Sequence, residues 1–134
     1  MLEMIEVRVN FLSNNAYIDL SRPPIELQEQ LQSIGVLTNP NLIMLDNART
    51  LKIELYADDT TGENILNLID KKKDMLGSVN RLCNHIRCMD YHDDMTFTEN
   101  LENGKYSSLD EALKSAEKLR EQRRIKNKKK EHSR

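Results

Sequence analysis

The sequence predicts an α+β fold: a small antiparallel sheet with packed helices, followed by a mostly helical C-terminal half and a basic helical tail. Three observations carry that prediction. Apolar and polar residues alternate with a period of two near residues 4–9 and 51–56, as in strands with one solvated face. From Glu63 onward the apolar residues recur every three or four positions instead, the spacing of amphipathic helices. Charge divides unevenly: residues 1–112 hold 19 acidic and 10 basic side chains, residues 113–134 hold 3 and 10, so nets of −9 and +7 lie within a formal −2.

Met4, Ile5, Val7 and Val9 alternate with Glu6 and Arg8 as a first strand, and Asn14-Asn15 is the expected turn into a second, Ala16–Leu20. Ser21-Arg22-Pro23-Pro24 supplies a cap and prolines suited to a first helical turn. Ile25, Leu27, Leu31 and Ile34 continue that helix until Gly35 stops it. Two further strands are expected, Leu42–Leu45 and Leu51–Tyr56, joined by the turn-forming Asp46-Asn47-Ala48-Arg49. Asp58-Asp59-Thr60-Thr61-Gly62 breaks the pattern. Ile65, Leu66, Leu68 and Ile69 form one short helix, and Met75, Val79, Leu82, Ile86 and Met89 mark a second. Phe97 and Leu101 mark a third, ended by Asn103-Gly104. Ser108-Leu109-Asp110-Glu111 has the spacing of a capping box that opens a last helix through Leu109, Ala112, Leu113, Ala116 and Leu119.

The 134 residues suit one domain, 1–113, with a basic helical extension at 114–134. Its core is aliphatic, because the chain has no Trp, two Phe and four Tyr. No apolar run approaches the ~18–20 residues that span a bilayer, and the start lacks the basic and apolar segments of a signal peptide, so a soluble, cytoplasmic protein with reduced cysteines is expected.

Cys83, His85, Cys88 and His92 are the residue types of a soft metal site, and residues 85, 88 and 92 share a face if one helix persists through them. The spacing matches no standard zinc module, and at ~100° per residue Cys83 points roughly 140° away from Cys88. One buried thiol, one partly exposed thiol and two surface histidines are expected, with no metal and no cofactor. His92 with Asp90, Asp93 and Asp94 offers raw material for acid–base chemistry on what reads as a solvated loop. No Gly-flanked Ser and no Gly-rich phosphate loop accompany it, so no catalytic residue is assigned and no enzyme is expected.

Two acidic groups remain: Asp58, Asp59 and Glu63 with Asp70, and Asp90, Asp93, Asp94, Glu99 and Glu102. Carboxylates repel nucleic acid but suit a basic groove that normally holds it, so these residues are candidates for binding a protein partner. Lys118, Arg120, Arg123, Arg124, Lys126, Lys128, Lys129 and Lys130 are candidates for phosphate contact, without an aromatic residue to stack on bases.

The order of elements resembles the ArdA-like antirestriction domains of mobile genetic elements. The similarity rests on Tyr17-Ile18-Asp19-Leu20 followed by a proline, a Glu- and Leu-rich helix leading to Ile34-Gly35, Asn64-Ile65, Val79-Asn80-Arg81-Leu82, and Phe97 to Gly104. The resemblance implies a small acidic mimic of bent DNA, often dimeric, that occupies the DNA groove of a restriction enzyme. This body is less acidic than that pattern, and the basic tail is foreign to it, which widens the expected target to CRISPR effectors. The expectation is a monomeric or homodimeric anti-defence inhibitor from a phage or mobile element, its tail on guide RNA or DNA and no membrane involved. The alternative is a nucleic-acid-binding accessory protein that acts through the tail.

Overall fold

The computed structural model describes residues 4–46 and 49–132, with side chains as far as Lys126. Its elements are β1 (Ile5–Phe11), β2 (Asn14–Asp19), α1 (Pro24–Ser33), a 3-10 turn (Pro40–Leu42), β3 (Leu51–Ala57), α2 (Thr60–Leu66), α3 (Leu76–Cys88), α4 (Tyr91–Glu102) and α5 (Leu109–His132). The expected α+β class is therefore observed. The sheet is antiparallel in the order β2-β1-β3, with Val7 opposite Ile18 on one side and Leu55 on the other. Its alternation places Ile5, Val7, Val9, Ile18 and Ile53 on the face that the helices cover, in one cluster with Leu27, Leu31, Ile65, Leu82, Phe97 and Leu109. On the solvated face Arg8 lies between Tyr17 and Tyr56, 5.2 Å and 4.3 Å from the two ring centroids.

Four local expectations are corrected. The hairpin turn is Leu12-Ser13, because the register pairs Phe11 with Asn14 and so draws both asparagines into β2. Leu12 takes up the turn's left-handed conformation at φ 55, and Asn14 reaches from the strand to the carbonyl of Ile34 at 3.1 Å. Ser21 does not cap α1: its hydroxyl and its backbone N–H both donate to Asp19, at 2.7 and 2.8 Å, while Pro23 and Pro24 open the helix. Ile25 is 62 % exposed rather than part of the core stripe. Finally, Leu42–Leu45 is not a strand. Met44 makes a single antiparallel bridge to Met75, and the ladder cannot propagate because the partner chain enters α3 at Leu76. Asn47 and Ala48 of the expected turn lie outside the described residues.

The helix ends follow from sequence more directly. Gly35, at φ 96, closes α1: Val36 N–H bonds the Leu31 carbonyl at 2.9 Å and Gly35 N–H the Gln32 carbonyl at 3.0 Å, with Leu31 and Val36 both buried. The acidic break at 58–62 turns out to open a helix, because Asp59 accepts from Gly62 N–H at 2.7 Å and caps α2. Ser108 caps α5 by accepting from Glu111 N–H at 3.1 Å, but Glu111 returns to Ser107 rather than to Ser108. That last helix runs through the 113/114 position without interruption.

Gly62 is fixed by a close approach. A Cβ there would stand 1.9 Å from the Met4 carbonyl oxygen, which already accepts from Asp58 N–H at 3.0 Å. Helix propensity alone would make Gly62→Ala stabilising by ~1 kcal/mol. The collision is with backbone and reverses the sign, so a net loss of about 2 kcal/mol is expected, measured as a lower urea midpoint at unchanged slope.

Candidate functional site

Past Leu119 the helix α5 buries no apolar side chain among the described residues, Ile125 being 45 % exposed, yet the helix stays against the body. Leu109, Ala112, Leu113 and Ala116 form its buried stripe, and the same three- and four-residue spacing next sets Arg120, which is exposed, and half-buried Arg123 on the same side of the helix. Both find partners across a cleft of about 540 Å³ that lies between the end of α3, the start of α4 and α5. Arg120 contacts Nδ1 of His85 at 2.9 Å. Arg123 forks onto two carboxylates, with Nε 3.0 Å from Asp90 and Nη2 3.1 Å from Asp93.

The α3–α4 junction makes this possible. Met89 takes an extended conformation, ψ 149, which ends α3 at Cys88, and Asp90 then caps α4 by accepting from Asp93 N–H at 2.8 Å. The stretch expected as a solvated loop is thus the first turn of a helix. Asp90 serves as cap and as ion-pair partner at once. Asp93 is buried, and Arg123 is the cation that meets its carboxylate there.

The break also separates the metal-type residues. His85 and Cys88 stay on α3 at the cleft, Cys83 is buried on another face of α3, and His92 is exposed on α4. Among the described residues no three His, Cys, Asp or Glu side chains gather in a way that holds a metal. Burial pushes the Cys83 thiol well above its ordinary range, with Asp19 and Asp59 adding to the shift. It remains a protonated thiol.

The two acidic groups are regrouped by the packing of α2 on α4. Asp59 and Asp94 line a second cavity of about 400 Å³ together with Arg87, and burial raises the Asp94 carboxyl above the usual carboxylate value. Asp58 and Glu63 are exposed on the α2 side, and Glu99 and Glu102 on α4, whereas Asp90 and Asp93 turn to α5. Asp70 folds its own loop by accepting from Lys72 N–H at 3.0 Å. Of the basic set, Lys118 and Lys126 are exposed and Arg124 pairs with Glu121 at 2.8 Å. The side chains of Lys128, Lys129 and Lys130 lie outside the described residues. The His85–Arg120 and Arg123–Asp93 contacts were not among the expectations. Their one sequence signal is the arginine pair in the phase of a core stripe.

His85 titrates downward from its ordinary value, chiefly through burial and then through the neighbouring Arg120, with Arg81 adding to the effect and Glu117 opposing it. At neutral pH the ring is therefore uncharged and Nδ1 accepts from the guanidinium. Because the unfolded imidazole takes up its proton near pH 6.5 and the folded one only lower, this stabilisation is complete above that value and is lost as pH falls through the folded pKa. His85→Gln is expected to flatten the fall in melting temperature between pH 7.5 and 5.5, as followed by circular dichroism.

The thiols give a second check. Native protein treated with Ellman's reagent should release about one equivalent quickly, from exposed Cys88, and the second only on unfolding; Cys88→Ser should remove the fast phase.

Searches against protein-family models, curated proteins and solved structures gave no match.

Proposed function

We propose that this protein is a non-enzymatic inhibitor of a nucleic-acid-dependent defence nuclease, either a restriction enzyme or a CRISPR effector, as its resemblance to ArdA-like antirestriction domains implies. The observation that supports this most is the exposed acidic set on two helices packed side by side: Asp58 and Glu63 with α2, and Glu99 and Glu102 on α4. Among the described residues none of the four caps a helix or forms an ion pair, so their charge is available to a partner. Carboxylates held this way complement a groove of Lys and Arg that normally carries phosphates, and they favour encounter with it over a wide approach. The competitor for that groove is the nucleic acid itself.

A specific observation favours a second reading, direct nucleic-acid binding through α5. The helix continues to His132, and Lys118, Arg124 and Lys126 stand exposed along it. Such a helix contacts phosphates with little sequence preference and with affinity that falls steeply as salt rises.

One set of measurements separates the two. Charge reversal of Asp58, Glu63, Glu99 and Glu102 to Lys should weaken inhibition by at least about tenfold in cleavage assays with type I restriction and RNA-guided nucleases, with the circular dichroism spectrum unchanged. Unchanged inhibition sinks the acidic-face proposal. Charge reversal of Lys118, Arg124 and Lys126 tests the second reading: fluorescence anisotropy with a labelled duplex at low salt should lose binding, and a wild-type chain that binds neither DNA nor RNA there removes it.

A further inference from the structure

We propose that the solvated face of the sheet and the pocket at its hairpin end bind a nucleotide, one phosphate with one base, offered as a free mononucleotide or as the terminus of a single strand. The helices cover the other face of the sheet. The pocket holds about 370 Å³ and is lined by Asn10, Ser13 and Asn15 of the β1–β2 hairpin and by Arg49, Thr50 and Lys52 at the start of β3. Both cations are exposed, and neither forms an ion pair among the described residues. No carboxylate lines this pocket, although acidic side chains outnumber basic ones in the body.

The register fixes who stands beside whom. Asn10 lies opposite Asn15 on one side and Lys52 on the other, so these three side chains cross the solvated face in one row. Two amides and two hydroxyls thus supply neutral donors next to two cations, a set that suits the oxygens of a phosphate. Leu12 lines the same pocket and is the one non-glycine residue with a positive φ among the described residues. An asparagine or glycine would hold that conformation with less strain, and strain of this kind collects at ligand sites.

Two residues further along each strand, about 7 Å away, the next row is Tyr17, Arg8 and Glu54. A sugar spans that step from phosphate to base. Tyr17 is 68 % exposed, and the Arg8 guanidinium lies 5.2 Å from its ring centroid. Glu54 accepts from the Tyr56 hydroxyl, and Arg8 rests 4.3 Å from the Tyr56 ring centroid instead of pairing with that carboxylate. An exposed ring flanked by a guanidinium is a platform on which any base can stack. The row beyond brings Glu6 opposite Asp19, so two carboxylates stand where a further phosphate would lie. The face therefore has a direction, with the phosphate at the hairpin and the base over Tyr17, and it selects one nucleotide rather than a run of backbone.

The test is an NMR titration of the full-length protein that follows the side-chain amides of Asn10 and Asn15 and the ring of Tyr17. Adenosine monophosphate should shift all three in a saturable way, with a dissociation constant on the order of 1 mM, and adenosine or inorganic phosphate alone should bind at least about tenfold more weakly. Replacing Arg49 and Lys52 together by Ala should weaken the nucleotide by at least about tenfold. Tyr17→Ala should reduce it to the affinity of inorganic phosphate, whereas Tyr17→Phe should preserve it. The same response in a chain with Lys118, Arg124 and Lys126 reversed to Glu separates this site from binding through α5. A terminally phosphorylated tetranucleotide that binds at least about tenfold tighter than the mononucleotide assigns the site to a strand end; equal affinity assigns it to a free nucleotide. The proposal is overturned by an absence of saturable shift with adenosine monophosphate, by loss of the response in the α5 variant, or by inorganic phosphate binding as tightly as the nucleotide.

Discussion

The fold depends on a row of hydrogen bonds from α3 to the chain that connects β2 with α1. Carbonyls between a strand end and a helix start have no ladder partner, and burying them unpaired costs roughly 1–3 kcal/mol each. Asn80, Asn84 and Arg87 supply the donors: Asn80 to the Leu20 and Arg22 carbonyls, Asn84 and Arg87 to that of Ser21, both at 3.3 Å. Their spacing of four and three sets them on one face of α3, beside the stripe of Leu76, Val79, Leu82 and Ile86 that enters the core. A single helix thereby satisfies polar backbone on one side and buries apolar surface on the other. The sheet, α1 and the helical half are held in one body by that double service.

The same economy explains α5. A helix kept against a domain by an apolar stripe normally leaves when the stripe ends. Here Arg120 and Arg123 occupy the next positions on the same side of the helix, at the edge of the body, and their long stems reach His85 and the α4 N-terminus. The negative charges at that terminus, Asp90 and Asp93, also sit favourably on the helix dipole of α4. Arg123 therefore stabilises a start of α4 that gathers three carboxylates, Asp90, Asp93 and Asp94, by pairing with the first two.

Much of this was legible in the sequence, and the rest was not for identifiable reasons. β1 and β3 showed because period two survives on a half-buried sheet, and Gly35 showed because a left-handed C-cap favours glycine. The hairpin turn was misplaced because Asn14-Asn15 has better turn chemistry than Leu12-Ser13. Pairing of Ile18 with Val7 across the core face decides the register, and local preference yields to it. Leu42–Leu45 carries strand composition, but a strand also needs a partner, and Met75 offers one bridge before its chain coils. The charged cleft was the least legible feature, since it joins Asp93 to Arg123 across 30 positions. Composition located the charges in both groups without saying which would meet.

That meeting changes what the charge division means. Two acidic residues and one basic residue that composition assigns to opposite surfaces are committed to each other, and they set where the remaining charges stand. The two kinds of electrostatics respond differently to salt. At physiological ionic strength the screening length is about 8 Å, so attraction exerted at a distance by exposed Lys118 and Lys126, or by Glu99 and Glu102, is much reduced. The contacts of Arg123 at 3.0 and 3.1 Å, one of them to buried Asp93, are screened far less. Salt therefore weakens what the charged surfaces attract before it weakens the anchor that aims them, and α5 keeps its direction under conditions in which its long-range pull has faded.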